Sequence, residues 1–361
     1  MSVISEIKEL LSSPKRIAIT MHRKPDADAI GSSLGFYHYL LQGGHQVSVV
    51  APTDYPDFLK WMPGSDQVLI GPFDPDKANW VFDGADVIFC LDFNALDRLA
   101  DFESSVRDSD AMKIMIDHHM EPEGFEDLSY SDEKASSTAE LVYRLIHDLG
   151  EGDKLNISSA ESLYAGIMTD TGSFRFTNTS PETHRTVARL MEIGVNVNAV
   201  YESIFNTATP ERLRFLGHCL SACLHFVPEY KVAYLKVDRE VFRQFPIKTG
   251  DTEGLVNYAL SLKGVNMGVL FTANDEIIKL SFRSRGNVSS KEFAENFGGG
   301  GHFYAAGGRS KESMEETEKR FLELLEEISS VDLQVKTWLN IENDTGFLSS
   351  FANLMNDLDS G

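Results

Sequence analysis

The fold prediction starts from residues 16–34, which read RIAITMHRKPDADAIGSSL. Residues 16–20 are mostly apolar, as in a buried strand, and residues 29–41 have the apolar spacing of a helix. Asp26 and Asp28 lie in the connection between them. Because open α/β sheets carry their chemistry at the carboxyl ends of their strands, this segment predicts such a sheet with a functional site at that edge.

The first half of the chain repeats this alternation of strand and helix. Residues 46–50, 86–91 and 113–116 have the composition of strands, and residues 136–149 and 158–168 have helical spacing. The alternation predicts an α/β protein whose first domain contains a mostly parallel sheet.

The pattern from residue 181 to about residue 226 is helical throughout and predicts a connector to a second, smaller α/β domain. Helices are predicted at 182–193, 198–205, 210–225, 252–262 and 312–328, and strands at 230–237, 268–272 and 277–282. The predicted division is a first domain at 1–195, a connector at 196–226, a second domain at 227–338 and a tail at 339–361. A docking helix and a disordered tail both stay open for the last segment.

Composition restricts the classes of partner. The chain has 361 residues, which favours two domains, and a formal net charge of −22. Long DNA or RNA is a poor partner for so acidic a chain, since polymer binding depends on a basic surface that neutralises phosphates. A small anionic substrate is compatible with this charge.

The sequence has no run of about 18 apolar residues and no basic segment followed by an apolar core, so we expect no membrane association and a cytoplasmic location. Cys90, Cys219 and Cys223 are too unevenly placed for a disulfide framework and are expected to be buried thiols. A homodimer is left open.

Four separated segments contain aspartate or histidine residues that could bind a metal: residues 22–28, 91–94 (LDFN), 116–119 (IDHH) and 168–172 (MTDTG). Each follows an apolar run, so all four are predicted at the ends of strands. Together they look like the ligand set of a two-metal hydrolase. Taken singly, Asp26 and Asp28 are more often helix caps, and Asp170 has the alternative role of a turn carboxylate.

The triplet Asp117-His118-His119 favours metal chemistry over these structural roles. A carboxylate beside two imidazoles at the end of an apolar strand costs desolvation free energy unless a metal or hydrogen bonds compensate. His118 suits a direct ligand, Asp117 an orienting partner for an imidazole, and His119 a donor to a phosphate oxygen or leaving group. A ligand set of carboxylates and imidazoles without thiolates suits Mn²⁺ or Mg²⁺ better than structural zinc.

A glycine-rich segment at residues 298–301 is the candidate substrate-binding motif of the second domain. The backbone amides of Gly299, Gly300 and Gly301 can approach a phosphate closely because no side chain intervenes, and His302 can bond to it. The alternative is a flexible loop.

Arg283 and Arg285 follow a predicted strand and lie on one face of it. Their guanidinium groups offer fork-shaped donors for a terminal phosphate. The alternative is a solvated strand end.

The acidic segments resemble those of the DHH phosphoesterase superfamily, and the glycine-histidine segment resembles the motif of the DHH-associated domain. The resemblance implies two ion sites that share Asp92, one formed with His22 and Asp26, the other with Asp28, His118 and Asp170. The implied cofactors are two divalent ions, Mn²⁺ first and Mg²⁺ second. We predict an active site in the cleft between the domains, with Asp92, Asp117 and His119 as catalytic residues.

Within the superfamily the chain resembles bacterial nanoRNases, which hydrolyse very short RNA to mononucleotides and also dephosphorylate 3′-phosphoadenosine 5′-phosphate. This resemblance implies short RNA or small nucleotides as substrates. Two alternatives stay open, a phosphodiesterase of cyclic dinucleotides or their linear products and a nucleotide-binding regulator without catalysis. A pyrophosphatase is disfavoured, because few Lys or Arg residues lie near the motif and family II pyrophosphatases have a different second domain.

Overall fold

The computed structural model describes residues 2–248, 250–273 and 277–342, and the chain divides into two compact units between Thr207 and Ala208. The strands of the first unit are β1 (Arg16–Met21), β2 (Gln46–Ala51), β3 (Leu69–Ile70), β4 (Val87–Leu91), β5 (Met112–Asp117) and β6 (Leu128–Ser131). They form one sheet in the order β3-β2-β1-β4-β5-β6, and its strand pairings are all parallel. The predicted parallel α/β domain is confirmed.

Helices lie on both faces of this sheet, and its central strands β1, β4 and β5 are buried over most of their length. They are α1 (Val3–Leu10), α2 (Ala27–Gln42), α3 (Pro75–Gly84), α4 (Glu103–Arg107), α5 (Thr138–Asp148), α6 (Ile157–Asp170), α7 (Pro181–Ile193) and α8 (Val197–Phe205). Alternate residues of β1 belong to different cores: Ile17 and Ile19 pack with Ile30 and Leu34 of α2, whereas Ala18 packs with Phe82 of α3.

The helix α2 lies against α5 and α6 and is buried over most of its length. Gly31 permits the close approach of α6, because a Cβ added there would contact the carbonyl oxygen of Ser162. This packing brings the start of α2, the start of α5 and the end of α6 to one region of the first unit.

The second unit contains a mixed six-stranded sheet in which β8 and β9 pair in parallel and the other neighbours are antiparallel. Its strands are β7 (Leu224–Val227), β8 (Val232–Val237), β9 (Met267–Ala273), β10 (Ile278–Ser284), β11 (Gly300–His302) and β12 (Ala305–Ser310), in the order β11-β12-β10-β9-β8-β7. Its helices are α9 (Pro210–His218), α10 (Arg239–Gln244), α11 (Leu255–Ser261), α12 (Ser290–Glu295) and α13 (Met314–Glu342). One face of the sheet packs aromatic residues, including Phe271, Phe282 and Phe321.

The predicted helix at 210–225 is an α-helix only as far as residue 218. The α-helix ends at His218, a π-helical turn follows at Cys219–Cys223, and β7 then pairs with β8. The pairing with a distant strand overrides the helical spacing of this segment. Cys90, Cys219 and Cys223 are buried, as predicted.

The end of the second unit also differs from the prediction. The helix α13 continues to Glu342, past the predicted end at residue 328. The rest of the predicted tail, from residue 343, lies outside the described residues. Among the helices in the described ranges, none combines the length and apolar composition of a bilayer span.

Candidate metal centre

Three neighbouring strands of the first unit end at the same edge of the sheet. β1 pairs in parallel with β4 up to Met21 and Leu91, and β4 pairs in parallel with β5 up to Leu91 and Ile116. His22 follows β1, Asp92 follows β4 and His118 follows β5, so the topology brings these three side chains together, as the sequence predicts.

Asp170 reaches the same region by another route. Its predicted position at the end of a strand is wrong, because it is the last residue of the helix α6. Since α6 packs along α2, its carboxyl end lies beside the strand ends. Asp170 Oδ2 is 3.5 Å from His118 Nε2.

The side chains form three overlapping groups whose possible ligand atoms lie within 4.8 Å of one another. The groups are His22 with Asp26 and Asp92, Asp28 with His118 and Asp170, and Asp92 with His118 and His119. The first two groups contain the ligands implied for the two ions, except that Asp92 belongs only to the first. Asp92 nevertheless lies close to both groups. Its Oδ2 is 3.4 Å from His22 Nε2 and its Oδ1 is 3.6 Å from His118 Nε2. The third adds His119, for which the sequence suggested a donor rather than a ligand.

The backbone of Asp92 is left-handed, with φ 65°, a conformation that non-glycine residues adopt at an energetic cost. Its N–H donates to the carbonyl oxygen of Ile116 at 3.1 Å, which holds the turn against β5. This turn leaves the carboxylate, which is 2% exposed, between two imidazoles.

Asp26 caps a helix and also faces His22, so its position is compatible with both roles that the sequence left open, helix cap and metal ligand. It is the N-cap of α2, and its Oδ1 accepts the N–H groups of Asp28 and Ala29, each at 3.0 Å. Its Oδ2 lies 3.8 Å from His22 Nε2. One oxygen therefore caps the helix while the other faces the centre.

Asp117 contacts His119, as expected of an orienting carboxylate. His119 Nδ1 and Asp117 Oδ1 are 2.7 Å apart, and Asp117 is fully buried. Burial lowers the pKa of His119, but Asp117 and Asp92 outweigh burial and raise it above its usual range. Asp117 Oδ2 is also buried, without a hydrogen-bond partner among the described residues.

The carboxylates crowd one another. Burial, reinforced by Asp26 and Asp92, raises the pKa of Asp170 to about 7 although its side chain is 32% exposed. Burial and the neighbouring carboxylates raise the pKa of Asp28 well above its usual range. For Asp92, burial acts in the same direction, but the imidazoles of His22, His119 and His118 outweigh it and lower the pKa. So many converging acids and imidazoles fit divalent cations, which would neutralise them.

We expect metal binding to displace protons. Burial lowers the pKa of His22, but its contacts with Asp26 and Asp92 outweigh burial and raise the pKa to about 11, so a metal must displace its proton across the ordinary pH range. Below about pH 7, Asp170 must lose a proton as well. The affinity for Mn²⁺ should therefore rise at least about tenfold per pH unit above pH 7, and more steeply below it.

Calorimetric titration of metal-stripped protein with Mn²⁺ between pH 6 and 8.5, in buffers of different ionisation enthalpy, measures this release. His22→Gln should lower the number of protons released. An affinity that stays constant over this range would contradict the assignment of His22 and Asp170 as ligands.

Gly166 of α6 lies against the centre. A Cβ at this position would be 2.7 Å from Asp28 Oδ1 and 2.7 Å from Ala139 Cβ. Gly166→Ala should therefore destabilise the first unit by about 1–3 kcal/mol and weaken Mn²⁺ binding, although alanine is ordinarily the better helix former. Denaturant unfolding and Mn²⁺ titration measure the two effects.

Gly217→Ala in α9 is the matched control, because an added Cβ there meets no atom within 4 Å. It should be neutral or stabilising. Equal effects of the two substitutions would contradict the steric argument.

Two of the glycines predicted to bind substrate in the second unit also have a packing requirement. A Cβ on Gly299 would contact the carbonyl oxygen of Gly307, and one on Gly301, where φ is 141°, would lie 2.7 Å from the carbonyl oxygen of Ala305. These two glycines are thus required by the packing of β12, whereas a Cβ on Gly300 would meet no atom within 4 Å. The predicted flexible alternative is wrong for Gly300 to His302, which form β11.

Arg283 is a residue of β10, and Arg285 follows that strand. Burial lowers the pKa of Arg283, whose Nη1 donates to the carbonyl oxygen of Phe282 at 3.0 Å. Arg285 Nη2 donates to the carbonyl oxygen of Leu260. The backbone of His302 lies in β11.

Sequence reasoning missed Thr138, which contacts two of the predicted ligands. The stretch Ser-Ser-Thr-Ala-Glu at residues 136–140 has the composition of a helix cap. Ser137 is indeed the N-cap of α5, and its hydroxyl oxygen accepts the N–H of Glu140 at 3.1 Å. No local pattern indicates that the next residue bonds to Asp28 and Asp92.

Comparisons with known proteins agree with this organisation. Residues 16–167 match the model of the DHH family, N-terminal domain, and residues 229–330 match that of the DHHA1 domain. The relative "Bifunctional oligoribonuclease and PAP phosphatase NrnA" of Thermus thermophilus is 32% identical over 91% of this chain and 94% of its own length. "Cyclic-di-AMP phosphodiesterase PdeA" of Listeria monocytogenes is 25% identical over 90% of this chain but only 49% of its own length.

A solved structure of an exopolyphosphatase-related protein from Bacteroides fragilis has a TM-score of 0.89 and 38% identity, covering 91% of this chain and 97% of that one. A parallel-sheet unit with clustered acids and imidazoles, followed by a mixed-sheet unit, is the organisation of a phosphoesterase with candidate metal sites. The chain belongs to the DHH family of phosphoesterases, with an N-terminal DHH domain and a DHHA1 domain.

Proposed function

We propose that this DHH phosphoesterase hydrolyses very short oligoribonucleotides to mononucleotides and converts 3′-phosphoadenosine 5′-phosphate to AMP. The observation that carries the proposal is the near-full-length similarity to a relative with both activities in its name, at 32% identity, together with the clustered ligand groups of the first unit. The net charge of −22 supports substrates with few phosphates over long polymers.

We propose that His22, Asp26 and Asp92 hold one divalent ion, and that Asp28, Asp92, His118 and Asp170 hold a second. Two such ions, Mn²⁺ or Mg²⁺, would supply the positive charge that activates a water and stabilises the attacking and leaving oxygens of a displacement at phosphorus. The hard oxygen ligands and the absence of thiolates from these groups support this choice.

In this proposal Asp92, Asp117 and His119 have distinct roles in the reaction. The carboxylate of Asp92 lies between His22 and His118 and would serve as a ligand to both ions. Asp117 orients the ring of His119 through the 2.7 Å contact. His119, whose pKa Asp117 and Asp92 raise, donates a hydrogen bond to a phosphate oxygen or a proton to the leaving oxygen.

We also propose that the second unit binds the substrate phosphate through Arg283, Arg285, His302 and the glycine segment Gly299 to Gly301. Arg283→Ala should raise the Michaelis constant more than it lowers kcat, since a guanidinium that binds phosphate contributes to ground-state and transition-state binding alike. We expect an increase of about tenfold or more, because a hydrogen bond to a charged group contributes about 1.5–3 kcal/mol.

Steady-state kinetics on an RNA dinucleotide measures this effect. Lys279→Ala is the matched control, because it removes a cation from the same strand, β10. An unchanged Michaelis constant for Arg283→Ala would exclude Arg283 from substrate binding.

A second candidate activity is hydrolysis of cyclic dinucleotides or their linear products. The similarity to a cyclic-di-AMP phosphodiesterase favours it, although this chain spans about half of that protein. The chemistry would be the same, and the shape of the binding site would decide between the substrates.

A substrate panel tests the proposal. Metal-stripped protein is supplied with Mn²⁺ or Mg²⁺ and given RNA dimers to pentamers, a 24-nucleotide RNA, 3′-phosphoadenosine 5′-phosphate, cyclic di-AMP and inorganic pyrophosphate. Preferred release of mononucleotides from the shortest RNA, and of phosphate from the adenosine bisphosphate, is the expected result. Turnover of cyclic di-AMP alone would establish the alternative, and tight nucleotide binding without turnover would indicate a regulator.

A further inference from the structure

Thr138 connects two aspartates that lie far apart in the sequence. It is the first residue of α5 and is fully buried. Its N–H donates to Asp28 Oδ2 at 2.7 Å, and its hydroxyl donates to Asp92 Oδ1 at 2.9 Å. One residue thus contacts an aspartate of α2 and the aspartate that follows β4.

The next residue completes the contact with Asp28. The N–H of Ala139 donates to Asp28 Oδ1 at 2.9 Å, so each carboxylate oxygen of Asp28 accepts a backbone N–H from the first turn of α5. These two bonds are made by the main chain. Only the bond to Asp92 depends on the side chain at position 138.

The first turn of α5 is itself held in place. The carboxylate of Glu140, fully buried, accepts the N–H of Ser136 at 3.1 Å and the hydroxyl of Thr183 at 2.9 Å. Its other oxygen accepts Nη2 of Arg144. The Thr138 hydroxyl is therefore presented from a rigid position rather than from a mobile loop.

This hydroxyl restricts the orientation of a carboxylate that serves two ligand groups. Asp92 Oδ1 faces Thr138 at 2.9 Å, while Asp92 Oδ2 faces His22 Nε2 at 3.4 Å. Rotation of the Asp92 side chain would break the bond to Thr138. A donor that holds one oxygen of a shared ligand sets the direction of its remaining lone pairs.

We infer that Thr138 is a positioning residue of the metal centre, which orients Asp92 through its hydroxyl while its amide and that of Ala139 orient Asp28. The inference rests on the metal centre of the proposed function and not on the identity of the substrate. It goes beyond the predicted ligands, because Thr138 lies outside all three ligand groups.

Thr138→Val tests the inference, since it removes the hydroxyl, retains the shape of the side chain and leaves both amide bonds to Asp28. Calorimetric titration of the metal-stripped full-length chain with Mn²⁺ should show about 10- to 100-fold weaker binding. Thr138→Ser, which retains the hydroxyl, should bind close to wild type. Thr186→Val in α7 is the matched control, because Thr186 is 1% exposed and belongs to the same unit.

Thermal unfolding of the metal-free variants separates positioning from a purely structural role. A variant that unfolds at a lower temperature but binds Mn²⁺ as wild type does would overturn the inference. If Thr138→Val does not fold, Thr138→Ala and Thr138→Ser are compared instead, because they differ only in the hydroxyl. Equal Mn²⁺ affinities of these two variants would overturn it as well.

The substrate panel and this titration can fail separately. A wild-type chain that binds two Mn²⁺ ions but does not cleave short RNA would overturn the proposed function and leave the role of Thr138 intact. If the wild-type chain cleaves short RNA but the Thr138→Val variant retains full Mn²⁺ affinity, the role of Thr138 is overturned and the proposed function stands.

Discussion

Asp92→Ala is expected to abolish phosphoester hydrolysis, with a loss of at least about 10³-fold in kcat, because the electrostatic stabilisation of a phosphoryl displacement by metal ions is worth several kcal/mol. The substitution removes the carboxylate that lies between His22 and His118, at 3.4 and 3.6 Å. It also leaves three imidazoles, those of His22, His118 and His119, without a shared counter-charge. Single-turnover kinetics on an RNA dinucleotide with saturating Mn²⁺ measures the loss.

Asp97→Ala is the matched control, because this exposed aspartate lies five residues further along the chain. It should have activity close to wild type. Near-normal turnover by Asp92→Ala, with the Mn²⁺ content of the variant confirmed by elemental analysis, would contradict the proposed ligand set. Loss of turnover in both variants would point to damage to the segment rather than to a missing ligand.

Removal of divalent metal is expected to abolish activity and to lower the thermal stability of the first unit. Without cations the carboxylates of Asp26, Asp28, Asp92 and Asp170 repel one another in a largely buried site. A ligand present at 100 times its Kd stabilises the native state by about 2.7 kcal/mol, which corresponds to an increase in Tm of about 5–10 °C for a unit of this size. Calorimetric scans of chelator-treated protein, before and after Mn²⁺ is added back, measure the shift.

The Asp92→Ala variant is the control for this shift, because Mn²⁺ should stabilise it much less than wild type. Mg²⁺ should restore part of the activity if it occupies the same ligands. Full activity in protein shown by elemental analysis to be metal-free would contradict the two-metal proposal.

Much of the fold follows from local pattern. The apolar runs that end at residues 91 and 116 predict β4 and β5 closely, because a strand buried on both faces requires such runs. Parallel pairing of neighbouring strands then places His22, Asp92 and His118 at one edge. The predicted helix 210–225 is wrong in part, since β7 acquires strand structure from its partner β8.

The amino-acid pattern was therefore sufficient for the parallel sheet and for the acid and histidines that directly follow its strands, because the apolar runs that mark strands are a local property of a chain. Contacts between distant segments settled the rest. Asp170, at the end of α6, lies beside the other acids because α6 packs along α2 at Gly31. Thr138 contacts Asp28 and Asp92 because α5 begins beside them. Hydrogen bonds across 46 and 110 residues of sequence depend on how packed helices and strands meet in three dimensions, and no propensity of the bonded residues encodes them.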